Sequence, residues 1–259
     1  MPVLASWTTH LVDYNPEAWR VRCPQDRVNK RTSADTGGSL ASYQQKRLHN
    51  YHELGRGERW RYLLIDRPRL DDEQRFFFEG CRALSGQTYI ADRRALHDTV
   101  LSVRPTCCFE VGTFTGGGST LFLSTALFKL GRGRLVTLEA DAGLHRGAVA
   151  AYRRWLPHLV PFVDFIHGND LHVFEPYLLG ADAPRCVFLD GSDDPWATLE
   201  QFRFFDGHSR PGDILMAHDW NTEKMHLLRP LLEAARGWRR RLLLVEPESV
   251  GFAAFECIA

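Results

Sequence analysis

Apolar and polar positions alternate regularly along the second half of the chain. Each short apolar run is followed by a longer segment with apolar residues at helical spacing. This pattern predicts strands that are each followed by a helix. The predicted strands are 107–111, 134–140, 163–168, 186–190 and 213–218, and the predicted helices are 118–130, 143–156, 171–179, 195–206 and about 222–236, the last kinked or split at Pro230.

The predicted alternation determines how the strands are arranged. Strands joined through helices by short connections form a parallel sheet with right-handed crossovers. The end of the chain departs from this rule, because strands 238–246 and 250–258 are joined only by Pro247-Glu248-Ser249. So short a link makes them an antiparallel hairpin. The pattern therefore predicts an α/β fold with a mostly parallel sheet closed by an antiparallel strand.

Residues 1–105 differ from the rest, because they are polar, rich in scattered aromatic side chains and poor in strand-like runs. We interpret them as a helical N-terminal lid or extension, and residues 106–259 as the second domain. The predicted elements of the first part are a mobile loop at Asp26–Gly38, helical pieces within 43–65 on either side of Gly55-Arg56-Gly57, a helix from Asp71 or Asp72 to about Leu84, and a helix at about 92–103.

Composition narrows the class of function. The 259 residues carry 32 basic and 32 acidic side chains, so the net charge of +0 does not favour binding to nucleic acid or to an anionic membrane. No apolar run is long enough to span a bilayer, and the first residues lack the pattern of a signal peptide. The six cysteines form no C-x-x-C pair and read as thiols in a reducing cytosol. We expect a cytoplasmic protein that binds a small molecule.

The most informative motif follows the strand at 107–111. Gly112, Gly116, Gly117 and Gly118 form a G-x-x-x-G-G-G loop that leads into a helix. Such a loop lets a ligand approach bare backbone, while the helix end presents free N–H groups. The spacing is neither that of a dinucleotide-binding loop nor that of a P-loop. Glu110, near the strand end, can hold backbone or a ligand ammonium group, and the alternative for the loop is a simple connection.

Acidic and amide side chains follow the second and third predicted strands. Glu139 ends the second strand, where a carboxylate can accept both hydroxyls of a ribose. Asp141 fits the cap of the next helix better. Asn169 or Asp170, after the third strand, can accept a hydrogen bond from an adenine amino group, but a helix cap is almost as good an explanation.

The fourth and fifth strands end in the residues that suit catalysis. Asp190 and Asp193 lie at the carboxyl edge of the sheet, where ligands bind in such folds, and Asp194 before Pro195 reads as a helix cap. His218 and Asp219 end the fifth strand, and a hydrogen-bonded strand end is the alternative for this pair.

These motifs together are similar to those of class I S-adenosylmethionine-dependent methyltransferases. The similarity is greatest to the small-molecule O-methyltransferase branch that includes catechol, macrocin and cephalosporin-hydroxylase-like proteins. It covers about 150 residues, from 107 to 258, and the N-terminal hundred match no family. It rests on Glu110-Val111-Gly112-Thr113-Phe114-Thr115-Gly116, Leu189-Asp190-Gly191, Arg210-Pro211-Gly212-Asp213 and Ala217-His218-Asp219-Trp220.

The resemblance implies a Rossmann-like seven-stranded sheet and S-adenosylmethionine as the cofactor. The glycine loop would lie under its methionine part, Glu139 would hold the ribose, and Asn169 and Asp170 would flank the adenine. The loop is one glycine longer than usual, and this chain has Ser192-Asp193 where relatives often have Asp-His. The implied cofactor-binding residues are Glu110, Gly112, Thr113, Phe114, Gly116, Gly118, Ser119, Glu139, Asn169, Asp170 and Asp190.

For the reaction, the resemblance implies transfer of a methyl group to a hydroxyl of a small metabolite such as a natural product, sugar or phenol. The base would be His218 first and Asp193 second. In metal-dependent relatives a magnesium ion replaces the base. Asp190 and Asp219 match that pattern, while His218 stands where another oxygen ligand is usual.

Two other functions remain open on the same fold. One is an N-methyltransferase or a hydroxylase-like relative, and the other is a partner protein that binds the cofactor without catalysis. The glycine spacing and the terminal hairpin disfavour a nicotinamide dehydrogenase. The first hundred residues could also form a contact between subunits of a homo-oligomer.

Overall fold

A seven-stranded sheet runs through the computed structural model, which describes residues 50–246 and 249–259. Its strands are β1 (Cys107–Val111), β2 (Arg134–Glu139), β3 (Val163–His167), β4 (Cys186–Leu189), β5 (Ile214–His218), β6 (Trp238–Leu244) and β7 (Phe252–Cys257). The order across the sheet is β3-β2-β1-β4-β5-β7-β6. The pairings among β1 to β5 are parallel, and β7 runs antiparallel to both β5 and β6. The predicted fold class is confirmed.

The helices flank this sheet, and those between β1 and β5 connect its parallel strands. In chain order they are α1 (Arg56–Arg61), α2 (Asp72–Glu79), α3 (Ile90–Val103), α4 (Ser119–Leu130), α5 (Ala142–Trp155), α6 (Glu175–Gly180), α7 (Pro195–Asp206) and α8 (Leu228–Ala234). Short 3₁₀ turns occur at Tyr51–Glu53, Arg67–Arg69, Val160–Phe162, Leu171–Phe174 and Glu223–Met225, and a π turn at Tyr62–Asp66.

Two predicted helices in the first part have different bounds in the structure. The helix predicted to reach about Leu84 ends at Glu79, because Gly80 adopts a φ of 56° and ends the hydrogen-bonded run. Gly57, expected in a break between two helical pieces, lies inside α1, which begins after Gly55. The interpretation of Asp26–Gly38 as a mobile loop falls outside the described residues.

Apolar side chains cover both faces of the sheet. Along β1, Cys108 packs into one core with helices α2 to α4, and its neighbour Phe109 packs into the other with α7 and α8. This alternation is the period of two expected of a strand, and burial on both faces is typical of parallel sheets. Phe77 and Leu96 bring α2 and α3 into the first core, so the described N-terminal helices share a core with the sheet.

None of the helices in the described part of the chain combines the length and apolar composition needed to span a bilayer.

A buried ion pair anchors the strand ends opposite the candidate site. Arg185, just before β4, is 1% exposed and contacts the Asp213 carboxylate before β5. The same carboxylate accepts the backbone N–H groups of Arg185 at 2.8 Å and Arg210 at 2.9 Å. Burying this charged pair is stabilising only as long as every partner is present.

Asp213→Ala is expected to lower the free energy of unfolding by about 3–5 kcal/mol, because it leaves a buried guanidinium unpaired. Asp164→Ala is the matched control, because its partner Arg134 is half exposed, and a loss below about 1 kcal/mol is expected. Urea denaturation of both variants measures the difference, and equal losses would contradict the assignment.

Candidate active site

Gly112 brings the ends of β1 and β4 into direct contact. Its N–H donates to the Leu138 carbonyl at 3.0 Å, and the Asp190 N–H donates to the Val111 carbonyl at 3.2 Å. Gly112 adopts a φ of +99°, and a Cβ atom there would lie 2.7 Å from the Asp190 carbonyl oxygen. Only glycine fits such an approach. The first glycine of the loop is therefore required by the neighbouring strand end that carries Asp190.

Gly117, the additional glycine of the loop, is required by a different contact. A Cβ atom on Gly117 would lie 2.1 Å from the Ser85 carbonyl oxygen, and one on Gly86 would lie 2.3 Å from the Gly117 carbonyl oxygen. The Thr115 hydroxyl donates to the same Ser85 carbonyl at 2.6 Å. The segment before α3 thus crosses the loop in backbone-to-backbone contact. Gly117 serves this crossing, which explains why the loop is longer than the resemblance led us to expect.

Glu139 holds the loop from the end of β2. Its carboxylate accepts the Phe114 N–H at 2.7 Å and the Asp141 N–H at 2.9 Å. A carboxylate has about four acceptor positions, so two remain for the hydroxyls of a ribose. Asp141 caps α5 through the N–H groups of Gly143 and Leu144, as its position before the helix indicated.

The other predicted cofactor residues of the loop lie around this contact. Phe114 has a φ of 52° and a ring that is 43% exposed, so it is open to a ligand. The Thr113 hydroxyl is hydrogen-bonded to that of Thr137. Gly116 also has positive φ and lies against the Tyr152 ring, and Gly118 and Ser119 begin α4.

The fully buried Glu110 carboxylate accepts hydrogen bonds from the hydroxyl groups of Thr120 at 2.7 Å and Thr137 at 2.6 Å. Burial raises the pKa of Glu110 to about 7 against the lowering effect of the Ser119, Thr137 and Thr120 hydroxyls. The residue thus ties the start of α4 to β2.

Some of the polar residues that follow β3 and β4 cap helical segments, and the others are exposed to solvent. Asp170 accepts the His172 N–H and caps the turn that begins there, while Asn169 is exposed at the same edge of the sheet. Asp194 caps α7, as the sequence indicated. Asp193, the second candidate base, is exposed on the loop after β4.

His218 lies at the centre of a buried cluster of charges. Its Nε2 is 3.1 Å from Asp92 Oδ2, and its Nδ1 is 3.2 Å from Asp219 Oδ1 and 3.5 Å from Asp190 Oδ1. Asp92 belongs to α3 and is fully buried. The structure thus brings together the three residues predicted at the ends of β4 and β5, and adds a carboxylate from the N-terminal part.

Lys224 completes the cluster. Its Nζ lies 2.6 Å from Asp190 Oδ1 and 3.2 Å from Asp219 Oδ2, and its side chain is 4% exposed. The 3₁₀ turn after β5 directs it there, because the N–H of Thr222 donates to the Asp219 carbonyl at 2.8 Å and folds the chain back. Three carboxylates therefore face two cations, and the side chains of Asp190 and Asp219 are the more open members at 23% and 24% exposure.

These contacts determine the charges of the cluster. Burial alone would lower the pKa of His218, but hydrogen bonds to Asp190, Asp219 and Asp92 outweigh it and raise the pKa well above 6.5. Burial alone would raise the pKa of Asp219, but the contacts with His218 and Lys224 outweigh it and lower this pKa to about 2. The contacts thus favour the imidazolium form of His218, whose two nitrogens are both directed at carboxylates. These contacts do not favour the predicted base role, which needs a free nitrogen lone pair.

A divalent ion has to compete with these contacts. One ligand atom from each of Asp190, His218 and Asp219 lies within 4.8 Å of the others, so the predicted ligands do converge. However, His218 Nδ1 is directed at Asp219, and the Lys224 ammonium bridges the two carboxylates. An ion held by the same carboxylates would have to displace that ammonium. The cluster as folded does not fit a divalent metal.

Asp92 and Lys224 are missing from the sequence-based prediction of the site. Asp92 is 126 residues from His218 along the chain, and no motif links the two. Lys224 fell within the predicted helix 222–236, where a lysine normally lies on the solvated face. The available signal was composition, because Lys224 is one of only four lysines in an arginine-rich chain.

The seven-stranded sheet and the glycine loop after β1 are those expected from the resemblance to methyltransferases. Residues 109–220 match a family described as methyltransferase domain. A search of curated proteins finds no match.

Solved structures share the fold at low identity. A provisionally assigned O-methyltransferase from Klebsiella pneumoniae is 22% identical and superposes with a TM-score of 0.56, covering 77% of this chain and 94% of its own. The O-methyltransferase TomG from Streptomyces achromogenes, involved in tomaymycin synthesis and solved with S-adenosylmethionine, is 20% identical with a TM-score of 0.55 and coverage of 80% and 100%. An O-methyltransferase from Bacillus cereus, solved with S-adenosylhomocysteine, is 18% identical with a TM-score of 0.53 and coverage of 76% and 95%.

Gly117→Ala is expected to destabilise the protein by about 1–3 kcal/mol or more, because the new methyl group overlaps the Ser85 backbone. Gly147→Ala is the control, since that exposed position in α5 has nothing within 4 Å of a Cβ atom, and a neutral or stabilising effect is expected. Thermal melting compares them, and an unaffected Gly117 variant would contradict the crossing.

The difference in the free energy of unfolding between wild type and His218→Asn is expected to decrease as pH rises. The folded-state pKa of His218 lies above 6.5, so its contribution is complete below pH 6.5 and is lost on passing the raised pKa. The slope is at most about 1.4 kcal/mol per pH unit. Urea denaturation between pH 6 and 9 tests this.

His158→Asn provides the comparison for this series. Burial lowers the pKa of His158, so the difference from wild type should be constant above pH 6.5. A constant difference for His218→Asn as well would show that the cluster does not hold an imidazolium.

Proposed function

We propose that the chain methylates a hydroxyl group of a small metabolite, with S-adenosylmethionine as the methyl donor. The observation that carries this proposal is the contact of Gly112 with Asp190. It joins the glycine loop, which suits the cofactor, to the charged cluster, which suits the acceptor. A sulfonium methyl and an acceptor hydroxyl bound on either side of this contact would be neighbours, and such placement is the main requirement of methyl transfer.

Several features of the loop support binding of the cofactor. The two unused acceptor positions of Glu139 suit the ribose hydroxyls, and the exposed Phe114 ring suits an apolar face of the ligand. Asn169 and Asp170 stand after β3, on the same edge, as candidates for the adenine. TomG and the Bacillus cereus enzyme, with S-adenosylmethionine and S-adenosylhomocysteine respectively, share this fold.

When bound, S-adenosylmethionine supplies a methyl group activated by its positive sulfur, so that a C–O bond forms as the C–S bond breaks. The chain has to orient the acceptor and receive the hydroxyl proton. Asp190 is suited to both tasks, because its carboxylate is partly open and its backbone carbonyl lies against Gly112. The proton then passes to this carboxylate and on to solvent.

His218 has a positioning role in this proposal. It holds the carboxylates of Asp190, Asp219 and Asp92 from both ring nitrogens. Because Asp92 belongs to α3, the N-terminal part of the chain contributes directly to the acceptor side. This contribution supports the interpretation of residues 1–105 as a lid or extension of the methyltransferase domain.

Glu139→Gln is expected to weaken binding of S-adenosylhomocysteine roughly 10- to 100-fold, because hydrogen bonds to a charged acceptor contribute about 1.5–3 kcal/mol. Asp141→Asn, a change of the neighbouring carboxylate that caps α5, should leave the affinity unchanged. Isothermal titration calorimetry measures both. Absence of binding by the wild-type protein would refute the proposed function.

Asp190→Asn is expected to lower kcat about 100-fold or more, the usual contribution of a general base, with little change in affinity for S-adenosylhomocysteine. The assay is transfer of an isotope-labelled methyl group to a panel of phenols, sugars and amines, followed by NMR assignment of the methylated atom. If Asp193 is the base instead, Asp193→Asn shows this loss and Asp190→Asn does not.

The same assay separates the alternatives on this fold. A labelled methyl group on nitrogen would identify an N-methyltransferase. Binding of S-adenosylhomocysteine without turnover of any acceptor would favour a non-catalytic partner protein.

A further inference from the structure

We propose that the ammonium group of Lys224 takes the place of a divalent cation between Asp190 and Asp219, and that methyl transfer by this chain needs no metal. The part that concerns turnover rests on the proposed function. The part that concerns the cation rests on the geometry of the cluster alone.

The position of Lys224 is the first argument. Its Nζ is within hydrogen-bond distance of both carboxylates, at 2.6 Å from Asp190 and 3.2 Å from Asp219. The side chain is 4% exposed, so it is buried in the folded structure. A lysine without a partner would project into water, since burial of its ammonium group is costly. The two carboxylates therefore hold this cation as part of the folded structure.

The backbone around Lys224 is the second argument. Its neighbour Met225 is fully buried in the core with Leu228, which fixes the turn. At the other end, Thr222 is hydrogen-bonded to the Asp219 carbonyl through both its N–H and its hydroxyl. The turn is thus held on both sides of Lys224, and the side chain is directed back over the end of β5.

The partners of the candidate metal ligands are the third argument. Asp219 directs one oxygen at His218 and the other at Lys224, and Asp190 Oδ1 is already in contact with Lys224. His218 Nδ1 lies 3.5 Å from Asp190 Oδ1 and 3.2 Å from Asp219 Oδ1, so the nitrogen that an ion would need is already in contact with these carboxylates. A divalent ion would have to break these contacts and would also lie beside a positive ammonium group.

The chemical consequence concerns the acceptor. A cation beside a hydroxyl oxygen favours its partly deprotonated form, which is what a metal does in related chemistry. Lys224 supplies such a charge permanently, at the partly open carboxylate of Asp190. The chain then carries its own electrostatic activator, and Asp190 remains available to receive the proton.

The test uses Mn²⁺ as a probe of the cluster in the full-length protein without cofactor. Free Mn²⁺ is followed by electron paramagnetic resonance. Wild type and Lys224→Arg, which retains the charge, are expected to bind no stoichiometric Mn²⁺ at concentrations that saturate Lys224→Met. In Lys224→Met the convergent ligands lose their resident cation and should bind one ion, and adding Asp190→Asn should abolish that binding.

Lys129→Met is the matched control, because Lys129 lies on α4 outside the cluster, and it should behave as wild type. Circular dichroism melting establishes that each variant is folded. Stoichiometric Mn²⁺ binding by the wild type that Asp190→Asn abolishes would overturn the proposal. A folded Lys224→Met that binds no ion would equally overturn it, since the cluster would then be no cation site.

Turnover gives a separate readout. The wild-type rate should be unchanged after EDTA treatment and on addition of Mg²⁺, and a rate that needs added metal would overturn the proposal. Failure of the proposed function appears differently, as absence of S-adenosylhomocysteine binding in calorimetry, and leaves the Mn²⁺ result interpretable.

Discussion

Mutual neutralisation of buried charges is the interaction on which the candidate site depends. Three carboxylates converge on His218 and Lys224 at the ends of β4 and β5. Without the two cations, like charges at these distances would repel, and at least one carboxylate would have to take up a proton. Without the carboxylates, neither cation could remain buried. The arrangement therefore folds as a set, and its shape cannot be assigned to any single member.

The same charged cluster links parts of the chain that are far apart in sequence. Asp190 is in contact with Gly112 and hence with the loop that suits the cofactor, while Asp92 comes from a helix that precedes the sheet. The Ser85 segment also crosses the glycine loop. The described N-terminal part thus has two contacts with this region, one at the glycine loop and one at the charged cluster. Under the proposed function, binding of the cofactor and binding of the acceptor would both depend on these contacts.

The fold was predictable because it depends on periodicity and connection length. The apolar runs at 107–111 and 186–190 have the character of buried parallel strands, and the short predicted link at 247–249 indicated an antiparallel hairpin. The hairpin is present, but its strands end at Leu244 and begin again at Phe252, so the connection is longer than predicted. Local signals also identified the caps Asp141 and Asp194. The helix predicted to reach about Leu84 was too long, because the pattern does not reveal that Gly80 adopts a positive φ.

The sequence predicted only those site residues that lie at strand ends. Asp190, His218 and Asp219 lie at strand ends, so topology alone brings them to one edge. The contacts of Asp92 and Lys224 depend on tertiary packing, which no local pattern records. Those contacts raise the pKa of His218, which its position at a strand end does not reveal. A residue type at a strand end thus indicates a location, whereas its protonation depends on neighbours that are distant in sequence.

The contact between Asp92 and His218 determines which fragments of this protein keep the charged cluster intact. The family match begins at residue 109, yet one wall of the charged cluster is supplied from residue 92. A fragment trimmed to the homologous boundaries would bury an imidazolium with one of its counter-ions removed. A fragment that keeps the charged cluster intact therefore has to include α3, which precedes the matched region.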